Sequence, residues 1–311
     1  MVPHDVTVII PAFNGEAFLA EAIEGVLNQS YDNFELLILD DGSGDGTKDV
    51  VKSFSDARIR FIRHEVNIGF IANWTYGVQA ARGCYLAIHG QDDIYRPHFL
   101  QRRVEAFKNQ PGLVAATGAF ECSDAYKSII SVSRRPSEHD DVLSGEALLR
   151  YALEYSGDWF NGSTLYSAHI VRELWPKVML AGTTLDLSLH LHLSLLPGSK
   201  VFFTPHVDSI LRVHPRQESR QNNLYLAECG AKFAHQFWQF EISHQSKPVK
   251  ELFRERIGLQ INHYARIMWD RGHTREARQL FACELRIRPK AWRTWLRYLR
   301  TFLTKPKPVD G

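Results

Sequence analysis

"ELLILDDGSGDGT", Glu35 to Thr47, sets an apolar run directly against two carboxylates and a glycine-studded turn. A short apolar run closed by turn residues reads as a strand of a sheet covered on both faces. The helical pattern of "TKDVVKSF" (47–54) follows at once, with Thr47 placed to cap it. Glycine turns between a strand and a helix are where α/β proteins hold phosphate groups. A dinucleotide fingerprint is excluded, because counting from Gly42 puts Thr47 where the sixth-position glycine must stand. Asp40 and Asp41 would also repel a pyrophosphate placed at the turn. A carboxylate there can instead accept hydrogen bonds from the neutral edge of a nucleotide, such as an imide N–H or a ribose hydroxyl.

Outward from this stretch the same alternation repeats. "VTVII" (6–10) and "CYLAIH" (84–89) read as buried strands, and "RIRFIRH" (58–64) as a strand near an edge. "EAFLAEAIEGVLNQ" (16–29) places Phe18, Ala22, Ile23 and Val26 on one helical face, and "FIANWTYGVQAA" (70–81) suits a helix. A further helix follows Pro97, and "LVAATGAF" (113–120) completes the series. Strand–helix repetition with short connections predicts an α/β fold with a mostly parallel sheet flanked by helices. Such sheets bind ligands at the carboxyl ends of their strands. "PAFN" (11–14), "DDGSGDGT" (40–47) and "GQDD" (90–93) all fall at those ends. The pair Asp92 and Asp93 suits Mg²⁺ or Mn²⁺ shared with substrate phosphates.

Beyond Phe120 the pattern loosens. Residues 121–142 read as polar loop, "STLYS" (163–167) and "KVFFTP" (200–205) as strands, and the chain from Asn222 as helices only. Residues 266–289 read as one helical-hairpin repeat of tetratricopeptide character, capping the body before it.

The 311 residues carry a net charge of +2, so global charge selects no partner. Four scattered cysteines without a C-x-x-C pair favour reduced thiols in a cytosolic compartment over a disulfide frame or zinc site. "MVPHDVTVII" has no basic n-region or long apolar core, so no signal peptide is expected. No apolar run reaches the roughly 20 residues that span a bilayer. From Arg286 to Val309 every charged residue is Lys or Arg. Within "KAWRTWLRYLRTFL" (290–303), Trp292, Trp295, Leu296, Leu299 and Leu303 recur at helical spacing, with Arg293, Arg297 and Arg300 on another stripe. That pattern suits a helix lying in an anionic membrane interface over 286–307, or one packed on its neighbours or a second subunit. No recognition module accompanies the basic stretch, so no nucleic-acid partner is expected.

Taken together, "VTVIIPAFNGEAFLAEAIEGVLNQSYDNFELLILDDGSGDGT", "NIGFIANWTYGVQAARGCYLAIHGQDDIYRP" and "LRVHPRQES" resemble the inverting family 2 glycosyltransferases of the GT-A fold, over about residues 4–220. The resemblance implies a nucleotide-diphosphate-sugar donor of UDP or dTDP type, a divalent Mn²⁺ or Mg²⁺, and transfer to a hydroxyl with inversion. It implies a glycan or lipid-linked glycan acceptor in cell-surface polysaccharide synthesis, at the cytoplasmic face of the cell membrane. Pro11, Ala12 and Phe13 would line the base, Asp41 would hydrogen-bond it, and Asn73 would contact the donor. Asp92 would meet the ribose, Asp93 would ligate the metal, and His214 would stand with the metal and diphosphate. The family's D-x-D-D is here Gly90-Gln91-Asp92-Asp93, so its first aspartate is missing.

The catalytic base aligns with "TTLDLSLHLHLSL" (183–195), with Asp186 as the acid and Leu185 replacing its acidic neighbour. Alternation alone reads this segment as a strand, which would make His190 and His192 an H-x-H metal pair. The resemblance implies a helix, with Asp186, His190 and Ser194 on one stripe. The expected division is a donor-binding half over 1–110, an acceptor and catalytic half over 111–221, and a helical extension over 222–311. From aromatic content, Trp159, Phe160 and Asn161 would form a sugar platform. Two other readings stand beside this one. Gly90 and Leu185 also suit a non-catalytic nucleotide-sugar-binding relative. A nucleotidyltransferase shares a similar sheet but uses a basic glycine-rich loop where this chain has "PAFNGEAF" (11–18).

Overall fold

The computed structural model describes residues 4–133, 136–154, 159–181, 185–215, 241–243 and 245–303, with isolated positions 217 and 237. The chain forms two compact units, Met1–Met179 with Leu189–Pro215, and Leu180–Ser188 with Arg216–Gly311. Most of "PRQES", the stretch 218–236 and the tail 304–311 lie outside the described residues, as does Cys229. Cys84, Cys122 and Cys283 are free thiols.

The first unit is built on one sheet. Its first four strands are β1 (Val6–Ala12), β2 (Phe34–Asp40), β3 (Ile59–Arg63) and β4 (Tyr85–Ile88). Then come β5 (Ile94–Tyr95), β6 (Leu113–Ser123), β7 (Ile129–Val132), β8 (Asp141–Ser144), β9 (Thr164–Ser167) and β10 (Lys200–Arg212). The order is β3-β2-β1-β4-β9-β6-β10-β5, with β7 on β6 and β8 on β10. β3, β2, β1 and β4 are mutually parallel. β9 runs antiparallel between β4 and β6, so the sheet is parallel in its first half and mixed in its second. The fifth strand of the series, "LVAATGAF" in β6, therefore does not extend the first four directly. "STLYS", a strand far along the chain, intervenes.

The apolar runs do not alternate because helices cover both faces. Helix α1 (Leu19–Leu27) buries Leu19, Ala22, Ile23 and Val26 in a cluster with Val8, Ile10, Leu36 and Ile38. Each leucine, isoleucine or valine among them contributes about 1.5–3 kcal/mol when fully buried. Helix α3 (Phe70–Ala80) lies on the opposite face. There Gly77 approaches so closely that a Cβ would sit 2.7 Å from Leu39 Cδ1 and 3.0 Å from Ile9 Cγ2. Helix α4 (Phe99–Asn109) carries the fully buried Arg103, whose guanidinium pairs with Asp208 of β10 at 3.1 Å and covers the Phe99 ring. Phe99 stacks on Tyr95, and Tyr95 on His89, whose enclosed imidazole is pushed down to about 3 by burial.

Two local expectations change, and a third segment takes the helix that the resemblance implies. Helix α2 (Thr47–Lys52) starts after Gly46 with no cap from Thr47, whose own N–H and hydroxyl are taken by the Asp45 carboxylate. The polar segment after Phe120 holds a hairpin, because β6 runs on to Ser123 and Asp124 accepts the N–H groups of Tyr126 and Ser128 to turn the chain into β7. "LDLSLHLHLSL" is helix α7 (Leu185–Leu195), in which Leu185, Leu189, Leu191 and Leu193 are buried along with His190 and His192. A helix enclosed on most sides leaves no polar face for its period to show. The H-x-H metal pair falls with the strand, since adjacent-but-one positions on a helix point far apart.

Between α3 and α7 the first unit also holds α5 (Gly145–Glu154) and α6 (Ala168–Val178). The second unit contains α8 (Lys247–Asp270), α9 (Thr274–Ile287) and α10 (Trp292–Leu303). Gly272, at φ 85°, makes the turn between the first two. Asn262 of α8 and Thr294 of α10 both donate to the buried Glu284 carboxylate of α9, at 2.6 and 2.8 Å. Arg297 of α10 returns a bond to Asn262 Oδ1 at 2.7 Å.

Candidate functional site

β1, β2 and β4 end side by side, with Ala12 opposite Asp40. Asp41 N–H donates to Ala12 O and His89 N–H to Ile9 O, both at 2.8 Å. The two neighbouring aspartates are used differently. Asp40 is fully buried, paired with Arg63 at 2.6 Å and accepting the Ser43 N–H at 2.9 Å. Asp41 accepts the N–H groups of Ile68 and Gly69 at 2.7 and 3.0 Å, one on each oxygen. Those donors precede α3, so its carboxylate lies where a helix N-terminus favours negative charge. Asn73, in the first turn of α3, donates to Leu39 O at 3.2 Å, while its buried Oδ1 has no partner among the described residues. Gly42 has φ 71°, and a Cβ there would meet Asn67 N at 2.7 Å, so the turn requires glycine.

The three loops beyond these strands are laced together. Gln91 brackets Phe13, accepting its N–H at 3.0 Å and donating to its carbonyl at 3.1 Å. The ring of Phe13 stays 45% exposed beside the buried Ala12 and half-buried Pro11, an open face for a planar ligand group. Asn14 donates its N–H to Ser43 Oγ and accepts the Gly44 N–H, at 2.9 and 3.0 Å. Gly15 N–H donates to Thr47 Oγ1 at 2.8 Å.

The acidic pair stands beside this lacing. Asp93 is buried and accepts the backbone N–H of Arg212 at 3.0 Å. Asp92 Oδ2 lies 2.9 Å from His214 Nε2. Arg212 is itself buried, its guanidinium 4.8 Å from the Phe18 ring and 3.0 Å from Glu21, which Lys127 reaches at 2.7 Å. Lys127 first, then Arg212, outweighs partial burial and holds the Glu21 carboxyl below its ordinary range. Gly90 stands where the family pattern has its first aspartate. A Cβ at that position would lie 2.4 Å from Asp93 Oδ2 and 2.9 Å from Asp92 Oδ1. Both carboxylates thus stand side by side, close against the Gly90 backbone. Among the described residues no three His, Cys, Asp or Glu side chains form a metal cage. A two-carboxylate cradle still fits Mg²⁺ or Mn²⁺, which take one or two carboxylates and complete their shell with phosphates and water.

The structure thus gathers Pro11, Ala12, Phe13, Asp41, Asn73, Asp92, Asp93 and His214 at the ends of neighbouring strands of the first unit. Asp186 stands half-buried in the first turn of α7, in the second unit. Trp159 and Asn161 are buried, which removes the sugar platform. The Trp159 indole stacks on His190 at 4.0 Å, and Asn161 is bonded to Tyr166. Gln91, Arg212 and Glu21 were not foreseen. Gln91 and Arg212 left a signal only as members of the quoted "GQDD" and "LRVH" stretches.

A strand-end rim of this kind is where α/β sheets bind ligands, and solved structures specify the fold further. S. aureus TarS 1–349, in complex with UDP-GlcNAc, superposes with a TM-score of 0.66 at 13% identity, covering 96% of this chain and 89% of that one. The mannosyltransferase PcManGT from Pyrobaculum calidifontis, in complex with GDP-Man and Mn²⁺, gives 0.56 at 16% identity over 96% of this chain and 85% of its own. The fold is GT-A. Residues 7–172, more than half of the chain, match Glycosyl transferase family 2, and the chain belongs to that family. An uncharacterized glycosyltransferase of Haemophilus influenzae is 29% identical over 176 residues, 53% of each chain. The β-1,3-glucosyltransferase WfgD of Escherichia coli, named as acting from UDP-Glc on α-D-GlcNAc-diphosphoundecaprenol, is 34% identical over 99 residues, 32% of this chain and 39% of its own. The matched regions span about half or less of these relatives' lengths.

Proposed function

We propose that this protein is an inverting glycosyltransferase that moves a sugar from a nucleoside-diphosphate donor to a hydroxyl acceptor. The observation that carries the reading is the convergence of Phe13, Asp41, Asp92 and Asp93 on one laced rim. Asp41 keeps lone pairs beyond the two it gives to Ile68 and Gly69, and these would accept from the base. Pro11, Ala12 and Phe13 flank the base, Asn73 contacts the donor, and Asp92 meets the ribose. Asp93 and Asp92, with His214 beside them, would hold Mn²⁺ or Mg²⁺. When bound, that ion would supply positive charge to offset the charge on the departing diphosphate.

Asp186 is the proposed base. Its carboxylate takes the acceptor hydroxyl's proton as that oxygen bonds to the anomeric carbon. The bond from that carbon to the phosphate oxygen breaks, and nucleoside diphosphate leaves. The UDP-GlcNAc bound by TarS and the UDP-Glc named for WfgD support a UDP-type donor, with dTDP-type donors in the same chemical class. The lipid-linked acceptor named for WfgD supports a glycan or lipid-linked acceptor; in this reading the protein meets it from a peripheral place on the cytoplasmic face of a membrane. In this reading residues 1–110 bind the donor, 111–221 carry the acceptor side of the same domain, and 222–311 are a C-terminal extension whose described helices lie within 247–303.

A thermal-shift screen of nucleotide-sugars with and without Mn²⁺, followed by turnover with the stabilising donor, tests the reading. Stabilisation with release of nucleoside diphosphate supports it, and no stabilisation by any nucleotide-sugar overturns it. Gly90 and Leu185 favour one rival, a binding relative without activity, which would show stabilisation without turnover.

A further inference from the structure

Helix α10 is packed with its amphipathicity reversed. Thr294 and Thr301, at 3% and 2% exposure, face its neighbours, and the seven-residue interval keeps them on one side. Arg278 of α9 reinforces that side with a bond to Thr301 Oγ1 at 3.2 Å, and Arg297 with its bond to Asn262. The opposite face carries Trp292, Trp295, Leu296, Leu299, Phe302 and Leu303, each between 45% and 82% exposed. At a hundred degrees per residue these six fall within one stripe roughly a third of the helix wide. Arg293 and Arg300 border it, also exposed.

An apolar stripe turned away from a polar packing face would be unfavourable in water unless something covers it. Its own chain already uses the other side. A two-fold pairing with a second copy would bring like-charged borders together, because every charged residue from Arg286 to Val309 is Lys or Arg. Tryptophan and leucine beside arginine are matched instead by an anionic lipid surface, where indoles settle at the headgroup level and cations meet lipid phosphates. Among the described residues no helix is long and apolar enough to cross a membrane, so such a surface would be met from one side.

We propose that the outward face of α10 docks on an anionic bilayer, with Leu296, Leu299 and Phe302 entering the acyl boundary and Arg293 and Arg300 meeting the headgroups. This rests on the peripheral placement proposed above and names the surface that achieves it. Flotation of the full chain with phosphatidylcholine vesicles, with and without phosphatidylglycerol, tests it. Binding is expected only with the anionic lipid and weakens as salt rises. Arg293→Ala with Arg300→Ala reduces it about thirtyfold, and Leu296→Glu with Leu299→Glu by at least as much. These residues are exposed, so an unchanged melting temperature verifies that the variants fold. Trp292 fluorescence, read as wild type minus Trp292→Phe, shifts to shorter wavelength on binding. No flotation with anionic vesicles overturns the docking, as does a dimer that the glutamate pair dissolves. Nucleotide-induced thermal stabilisation in the same variants reports the donor rim separately, so either reading can fail alone.

Discussion

Asp40 and Asp41 are chain neighbours with different surroundings. Asp40 is neutralised by Arg63 inside the protein, whereas Asp41 is held by two backbone N–H groups and retains acceptor capacity. Asp41→Asn should weaken UDP binding about tenfold to a hundredfold, the worth of one charge-assisted hydrogen bond. Calorimetry with free UDP measures it, and an unchanged affinity would remove Asp41 from the base site. Asp186→Asn should lower kcat by about a hundred- to ten-thousand-fold while sparing UDP affinity. Near-normal turnover in that variant would end its assignment as base. The acidic pair and His214 were legible because each sits in a short motif. The Gln91 clamp on Phe13 and the Arg212–Glu21 pair were not, since their partners lie 78 and 191 residues away in the chain. Nothing in a local window encodes such a contact.

At the scale of elements, periodicity worked where one face was polar and failed where none was. The spacing of α1 predicted the burial of Ala22, Ile23 and Val26, because its other side meets water. Leu19 takes the buried place expected for Phe18, which is half-buried just ahead of the helix. The alternation in α7 pointed to a strand, because leucines, histidines and serines are buried together there. The antiparallel insertion of β9 had no local mark either, since a strand's composition does not name its neighbours. α3 lies close to the sheet because Gly77 has no side chain. Gly77→Ala should place a methyl against Leu39 and Ile9, costing about 1–3 kcal/mol of overpacking. Alanine's better helix propensity returns about 1 kcal/mol. A melting temperature several degrees lower is expected, and an unchanged one would show that the helix can shift without penalty.

For the whole molecule, burial of ionisable groups links stability to pH. His190 is enclosed between Trp159 and Tyr166, and burial holds its imidazole well below the ordinary histidine range. The unfolded chain takes up that proton near about pH 6.5 while the folded chain stays neutral to lower pH. Between those two points the unfolded state binds more protons, so stability falls as pH drops. His190→Phe keeps a ring against Trp159 and should flatten the fall in melting temperature between about pH 7 and about pH 5. An identical slope in the variant would show that His190 does not contribute. The sequence alone determined the strand–helix order of the first half, the family, and the placing of three loaded motifs at strand ends, because each depends on residues close together in the chain. Tertiary structure alone decided which aspartate is neutralised, that the Asp92 and Asp93 carboxylates crowd Gly90, and that α10 turns its tryptophans outward. Each of those rests on contacts between distant segments, whose energies no stretch of sequence contains.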